Sequence, residues 1–277
     1  MKTLNAELTE IRIMNREEVL EAVKQNGWAL NYASKELQND KKVVLEAVKK
    51  NGWALEFASR ELQNDREIVL ETVKQNGISL EHASEELRND REIVLEAVKQ
   101  NGWALKSASE EPRNDREIVL EAVKQEGRAL GYASSELQND KEVVLEAIKQ
   151  TGRALEYASQ ELQTDKEVVL EAVKQDGWTL GYASKELQND REIVLEAVKQ
   201  DGRALKYASK KFLNDEYIIA QMRLPYKVSK SGFFINIGCI TKIKEEWLKT
   251  PFEEVQNELF DSKSLYNRYI KLIGELK

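Results

Sequence analysis

Residues Asp90 to Asn114 read DREIVLEAVKQNGWALKSASEEPRN, and this stretch decides the fold because it recurs along most of the chain. Gly27, Gly52, Gly77, Gly102, Gly127, Gly152, Gly177 and Gly202 stand 25 residues apart. Asp40, Asp65, Asp90, Asp115, Asp140, Asp165, Asp190 and Asp215 keep the same spacing, with Asn15 in the equivalent place at the front. Self-similarity at a short fixed period marks an array of stacked units rather than a conventional domain. Counted from its Asp as slot 0, the repeat occurs eight times from Asn15 to Asn214, 200 of the 277 residues, with no insertion or deletion.

The signals within a repeat predict two short helices. Asp90 is an N-cap residue, Glu92 favours the positive helix start, and Lys99 suits the negative end. Gly102 supplies a left-handed stop. In the first helix, slots 3, 4, 5, 7 and 8 (Ile93, Val94, Leu95, Ala97 and Val98) form a broad apolar face, with Glu92, Glu96 and Lys99 opposite. The slot 9 lysine pairs with the slot 6 glutamate. In the second helix, slots 14, 15, 18 and 22 form a narrower stripe, as in Ala129, Leu130, Ala133 and Leu137. Such a pair cannot bury both apolar faces alone, so neighbours must stack, and short connections run consecutive helices antiparallel. The expected fold is all-α, an α-solenoid of eight two-helix repeats.

The ends depart from the pattern as array ends should. Leu4, Leu8 and Ile11 recur at helical spacing, so 1–14 is expected to be an N-terminal capping helix, and Glu18 replaces the usual slot 3 Val or Ile where the array meets water. The solenoid spans 15–214, and 215–277 is expected to be a small C-terminal α+β cap. There Tyr226 to Val228 and Phe233 to Ile237 flank a turn and predict a hairpin, and Thr250-Pro251-Phe252-Glu253 reads as a capping box. A closing helix presents Leu265, Tyr269, Leu272, Ile273 and Leu276.

Composition narrows the function. One cysteine, Cys239, and one histidine, His82, leave no disulfide framework and no Cys/His cluster, so neither metal nor cofactor is expected. A reducing cytosol is the expected compartment. The net charge of −7 argues against general affinity for nucleic acid or anionic membranes, and the repeats themselves carry 30 basic against 38 acidic residues. No run approaches the roughly 20 apolar residues of a membrane span. Phosphate-binding glycine loops, H-E-x-x-H and G-x-S-x-G are absent from the sequence, so a non-catalytic protein is expected.

Slots serving the common core recur, whereas slots serving a partner can diverge. Slot 13 is Trp28, Trp53, Ile78, Trp103, Arg128, Arg153, Trp178 and Arg203, and slot 17 is Tyr32, Phe57, His82, Ser107, Tyr132, Tyr157, Tyr182 and Tyr207. With slots 16 and 20, which change charge from repeat to repeat, they would share one α-helical face at i, i+3, i+4 and i+7. Trp, Tyr and Arg dominate interface hot spots, so this face is the candidate surface for a protein partner. The plainer alternative is structural: slots 13 and 17 pair within one helix, Trp28 on Tyr32 or Arg128 on Tyr132, and wedge against the next repeat, as large rings in a solenoid do. Arg128, Arg153, Arg203, Lys206 and Lys210 near Tyr132, Tyr157 and Tyr207 also fit a single-strand binder, a reading the acidic balance opposes. Other uses are an enzyme with chemistry in 215–277 around Cys239, or association of the array with copies of itself. Repeat four replaces the slot 17 aromatic by Ser107 and the slot 22 leucine by Pro112, which is expected to shorten its second helix and bend or notch the array.

The unit DREIVLEAVKQNGWALK with its trailing YASxELQND resembles the repeat of the domain of unknown function 4116 over Asn15 to Asn214. That resemblance implies a repeat array of the kind found in bacteria, intracellular pathogens and viruses, and carries over no activity or catalytic residue. Phe234 to Leu248, FINIGCITKIKEEWL, is similar to a closing module behind repeat arrays in phage and gut-bacterial proteins, which implies that Cys239 and Trp247 pack in a cap. Beside the enzyme reading, the expectation is a non-catalytic binding protein, for example a bacterial or phage-encoded inhibitor or adaptor that grips a cellular factor such as a defence nuclease.

Overall fold

The computed structural model describes residues 15–213 and 215–221, the strands 228–231, 234–237 and 240–243, and the single residues 249, 267, 270 and 271. The expectations for the 1–14 helix, for Cys239 and Trp247, for the capping box at Thr250 and for most of the closing helix lie outside these residues. Contacts divide the chain into two compact units, Met1–Gln150 and Thr151–Lys277. Within each, repeats stack side by side as in an α-solenoid.

Every repeat opens with an α-helix of ten residues: Arg16–Gln25, Lys41–Lys50, Arg66–Gln75, Arg91–Gln100, Arg116–Gln125, Lys141–Gln150, Lys166–Gln175 and Arg191–Gln200. The slot 0 carboxylate starts each helix as expected, Asp90 Oδ1 accepting from Glu92 N and Ile93 N at 3.0 Å. In repeat one Asn15 takes this role and Glu18 reaches back to accept from Asn15 N at 2.9 Å. The charge in slot 3 there completes a capping box as well as standing exposed. Slots 3, 4, 7 and 8 are fully buried from repeat two onward, as Ile93, Val94, Ala97 and Val98 show, while the slot 5 leucines are half-buried. Each buried Val, Ile or Leu contributes about 1.5–3 kcal/mol, and repetition makes this face the main source of stability.

The glycine works differently from the expectation. The helix ends on an extended residue, such as Asn26 with φ −145° and ψ 107°, and the glycine opens the next element rather than stopping the last in a left-handed turn. Its role is close approach. A Cβ on Gly27 would lie 2.5 Å from the Ala47 carbonyl oxygen of the following repeat, and one on Gly102 2.5 Å from that of Ala122. Backbone of one repeat therefore rests on the next helix where slot 7 is a small residue, Thr72 being the largest.

The second helix is also replaced. Slots 12–17 form a six-residue 3-10 helix, as in Gly102–Ser107, and a separate single turn follows. That turn is α-helical over slots 20–23 in repeats three to five, as in Glu110–Arg113, and 3-10 over slots 22–24 in repeats one, two, six and seven, as in Leu37–Asn39. Between them the slot 18 alanine is extended, Ala33 having φ −67° and ψ 158°. The slot 19 serine forces this break. Its Oγ caps the following turn, Ser84 accepting from Leu87 N at 3.3 Å, and an N-cap residue must leave helical geometry. Its backbone N–H meanwhile donates to the slot 23 carbonyl of the preceding repeat, Ser84 N to Gln63 O at 2.9 Å. Slots 14, 15, 18 and 22 are buried as the stripe predicts, as Ala129, Leu130, Ala133 and Leu137 show.

Pro112 does not shorten its turn, which spans Glu110–Arg113 just as the equivalent turn of repeat three spans Glu85–Arg88. Because helix geometry restarts at slot 20, the proline falls in the first turn, where its missing N–H has no helical partner to lose. What it removes is the bond to Ser109 Oγ, which instead donates to Glu85 O at 3.3 Å.

After repeat eight, Glu216–Gln221 forms a further helical stretch. Beyond it β1 (Val228–Ser231), β2 (Phe234–Ile237) and β3 (Ile240–Ile243) pair antiparallel in the order β1-β2-β3. The expected hairpin is thus extended by a third strand. Ser231 pairs with Phe234, and Ile237 with Ile240.

Candidate binding surface

The slots expected on one helix face are divided by the structure into two places. A 3-10 helix turns once in three residues, so slots 13 and 16 align while slot 17 lies a third of a turn away. Slot 20 falls beyond the extended Ala-Ser break. Slots 16 and 20 are exposed in nearly every repeat, Gly131 and Gly181 being half-buried, whereas slot 17 is half-buried throughout.

Slot 13 pairs with slot 17 of the following repeat, not with slot 17 of its own. Trp28 meets Phe57 at 5.6 Å between ring centroids, Trp53 meets His82 at 5.5 Å, Trp103 meets Tyr132 at 6.2 Å and Trp178 meets Tyr207 at 5.6 Å. Of the plainer alternative, the structure shows the wedge against the next repeat, in place of the within-helix pairing of Trp28 on Tyr32. These rings are tilted or edge-on, an arrangement that contributes about 0.5–1.5 kcal/mol beyond burial. Their outer faces stay open to differing degrees, and Trp28 remains 44% exposed. Tyr32, Tyr157 and Tyr182 are half-buried.

The arginines of slot 13 take polar partners. Arg153 Nε donates to Asp176 Oδ2 at 2.8 Å, and Arg203 forms a multiple hydrogen bond to Asp201, with Nη2 to Oδ2 at 2.6 Å. Arg203 also lies over the Trp178 ring at 5.1 Å, and Trp178 Nε1 donates to Asp201 Oδ2 at 2.8 Å. Burial pushes the Asp201 carboxyl up, but the bonds from Arg203 and Trp178 outweigh it and hold the group below its ordinary value. The Tyr182 phenol is pushed up, by burial first and then by the charge and hydrogen bond of Glu156. Arg128 is exposed. His82 Nε2 is buried without a hydrogen bond, 3.7 Å from Glu81 Oε1.

A second set of contacts, on the helix side, has no counterpart in the sequence reading. The slot 1 cation of one repeat reaches the slot 0 carboxylate of the next: Arg16 to Asp40 at 2.5 Å, Lys41 to Asp65 at 2.7 Å, Arg91 to Asp115 at 2.7 Å, Lys166 to Asp190 at 2.8 Å. Several also reach slot 2, as Lys41 does to Glu67 at 2.9 Å. Asp65, Asp90, Asp115, Asp140 and Asp190 thus cap their own helices with Oδ1 and bind the neighbouring repeat through Oδ2. The bond from Arg16 holds the Asp40 carboxyl below its usual range. At Asp65 and Asp115 partial burial pushes the other way and is outweighed by Lys41 or Arg91 together with the helix N–H donors. The signal was available in sequence as the unbroken basic character of slot 1. The expected slot 9 to slot 6 pairs form as well, Lys24 to Glu21 at 2.6 Å and Lys149 to Glu146 at 2.9 Å.

Among the described residues no helix is long and apolar enough to cross a membrane, and no group of three or more His, Cys, Asp or Glu converges as a metal would require. The family model described as domain of unknown function (DUF4116) matches four consecutive segments, 15–63, 65–113, 115–163 and 165–213. Each match spans two of the 25-residue repeats. No curated protein and no solved structure matches the chain.

Proposed function

Given that the chain belongs to the family of the domain of unknown function 4116 through four tandem matches from 15 to 213, we propose that it is a non-catalytic protein whose repeats bind a protein partner. The observation that carries this reading is the row of slot 13 side chains, stacked from repeat to repeat and left partly open. Fold stability alone does not call for rings and guanidinium groups there, since Ile78 fills the same slot in repeat three. A Trp such as Trp28, 44% exposed beside an exposed slot 16, is the type of anchor that interface energetics favour. The changing charges of slots 16 and 20 then discriminate among partners. Binding without chemistry suits an adaptor or inhibitor, and the cytosol is where the partner is sought.

The test is affinity capture from native cytosol, comparing the wild-type chain with Trp28→Ala and with the combined Arg128→Ala, Arg153→Ala and Arg203→Ala variant. A stoichiometric protein retained by the wild type and lost from the variants, with melting temperatures close to wild type, is the expected result. Capture equal in all three chains, or none in any, overturns the reading.

A further inference from the structure

Two clefts of similar size occupy equivalent positions between consecutive repeats. One, of about 520 Å³, lies between repeats one and two and includes Lys35, Gln38, Glu56 and Phe57 in its lining. The other, of about 560 Å³, lies between repeats seven and eight and includes Lys185, Gln188, Lys206, Tyr207 and Lys210. The floor of each is a buried slot 23 glutamine held by backbone, Gln38 Nε2 donating to Leu30 O at 3.1 Å and Gln188 Nε2 to Ala183 O at 3.0 Å. The Oε1 of each accepts from the slot 20 lysine, Lys35 at 2.8 Å and Lys185 at 2.9 Å.

Their shapes are alike, but their charges are not. The first cleft sets Lys35 against Glu56, whereas the second gathers three lysines with no carboxylate in its lining. The segment 202–213 carries Arg203, Lys206, Lys210 and Lys211 and no acid, while the same stretch of repeat three has Glu81, Glu85 and Glu86 against Arg88. A second substitution acts in the same direction. In earlier repeats the slot 24 asparagine donates to the next slot 21 glutamate, Asn64 to Glu86 at 3.2 Å and Asn89 to Glu111 at 2.7 Å. In repeat eight that position is Lys211, and Asn189 lines the cleft.

We propose that the cleft between repeats seven and eight binds an acidic peptide segment of the partner, an inference that rests on the binding function proposed above. Among the described residues none of Lys185, Lys206 and Lys210 forms an ion pair, and Lys206 Nζ instead rests 4.1 Å from the Trp178 centroid and 4.8 Å from that of Tyr207. Three like charges on one concave surface repel one another until an anion enters. Lysine ammoniums are separate point donors rather than a planar fork, so three of them spread over two repeats match several carboxylates along an extended chain better than one small oxyanion. Gly181 shapes the site, because a Cβ there would lie 3.1 Å from the Tyr207 ring and displace it.

The test titrates the full chain with hexaglutamate at low salt, following tryptophan fluorescence and heat. Saturable binding is expected, weakened about tenfold by combining Lys185→Gln, Lys206→Gln and Lys210→Gln, weakened also by salt, and unchanged by Lys35→Gln in the other cleft. The triple variant stays folded with a melting temperature within a few degrees of wild type, since it gives up the Lys185 bond to Gln188 and the Lys206 ring contacts but no ion pair. No binding, or equal binding by the triple variant, overturns the proposal, and so does inorganic phosphate or free glutamate binding as tightly as the peptide. Partner capture that survives the lysine changes but not the slot 13 changes overturns this site and leaves the binding function standing. Hexaglutamate binding without any captured partner does the reverse.

Discussion

Slots 1–10 are the same ten residues, REIVLEAVKQ, in repeats four, five and eight, and depart from them by at most a few residues elsewhere, whereas slots 13, 16, 17 and 20 change in almost every repeat. The difference follows from how many neighbours each half has. In the α-helix, slots 3, 4, 7 and 8 are buried, slot 1 pairs with the next repeat, and slot 7 lies under a backbone that tolerates little beyond a methyl group. In the second half of the repeat slots 12, 14, 15, 18 and 22 are committed by burial or close approach and the slot 19 serine by its bonds, which leaves slots 16 and 20 open and slots 13 and 17 half open. A side chain free to change without disturbing the stack is one that selection for a partner can use.

The sharpest way to break this comparison is at the glycine, which belongs to the 3-10 half yet is fixed by the helix half. Gly102→Ala should cost about 2–4 kcal/mol, because the added methyl meets the Ala122 carbonyl and backbone must move. Gly52→Ala, whose methyl would sit 3.0 Å from Thr72 O, should cost less. Urea unfolding of the two variants ranks them, and equal costs would remove the close-approach account.

Next in size is the double role of slot 0. Asp115→Ala should lose about 1–2 kcal/mol from its cap. The carboxyls of Asp40, Asp65, Asp115 and Asp190 are lowered in the folded chain, so their stabilisation is fully present above the ordinary carboxylate value near 4 and is lost as pH falls through the lower folded value. Melting temperature should therefore hold from neutral pH to about 5 and fall below 4, and Asp115→Asn should flatten part of that fall. A wild-type profile that is level down to pH 2 contradicts the ladder.

The smallest effect tests whether the 3-10 half tolerates exchange. Pro112→Leu restores an N–H for Ser109 Oγ at a buried site, and a gain of about 0.5–1 kcal/mol is expected from chemical denaturation. A loss would mean that repeat four has adapted to its proline.

The parts of this fold that depend on a residue's own chain neighbours were legible in sequence. Asp90 as N-cap and Ile93, Val94, Ala97 and Val98 as core are of that kind. Misread parts depend on what the next repeat supplies. Gly102 looks like a stop signal until the Ala122 carbonyl lies beside it, and whether Trp28 meets Tyr32 or the next repeat stays open until stacking brings Phe57 across. The 3-10 break was open to reading, because Ser84 before Glu85-Glu86-Leu87 is an N-cap signature. A continuous 3.6-residue period drawn through slots 12–24 concealed it.

The bonds between repeats join slots a fixed distance apart, as Arg91 to Asp115 and Asn89 to Glu111 do at 24 and 22 residues. Within 15–150, excising 25 residues between any two equivalent slots rejoins the same donors to the same acceptors, and inserting a copy does likewise. The number of repeats is therefore a quantity the gene can change in one recombination event, adding or removing whole sets of variable slots while no existing contact between repeats has to be re-evolved.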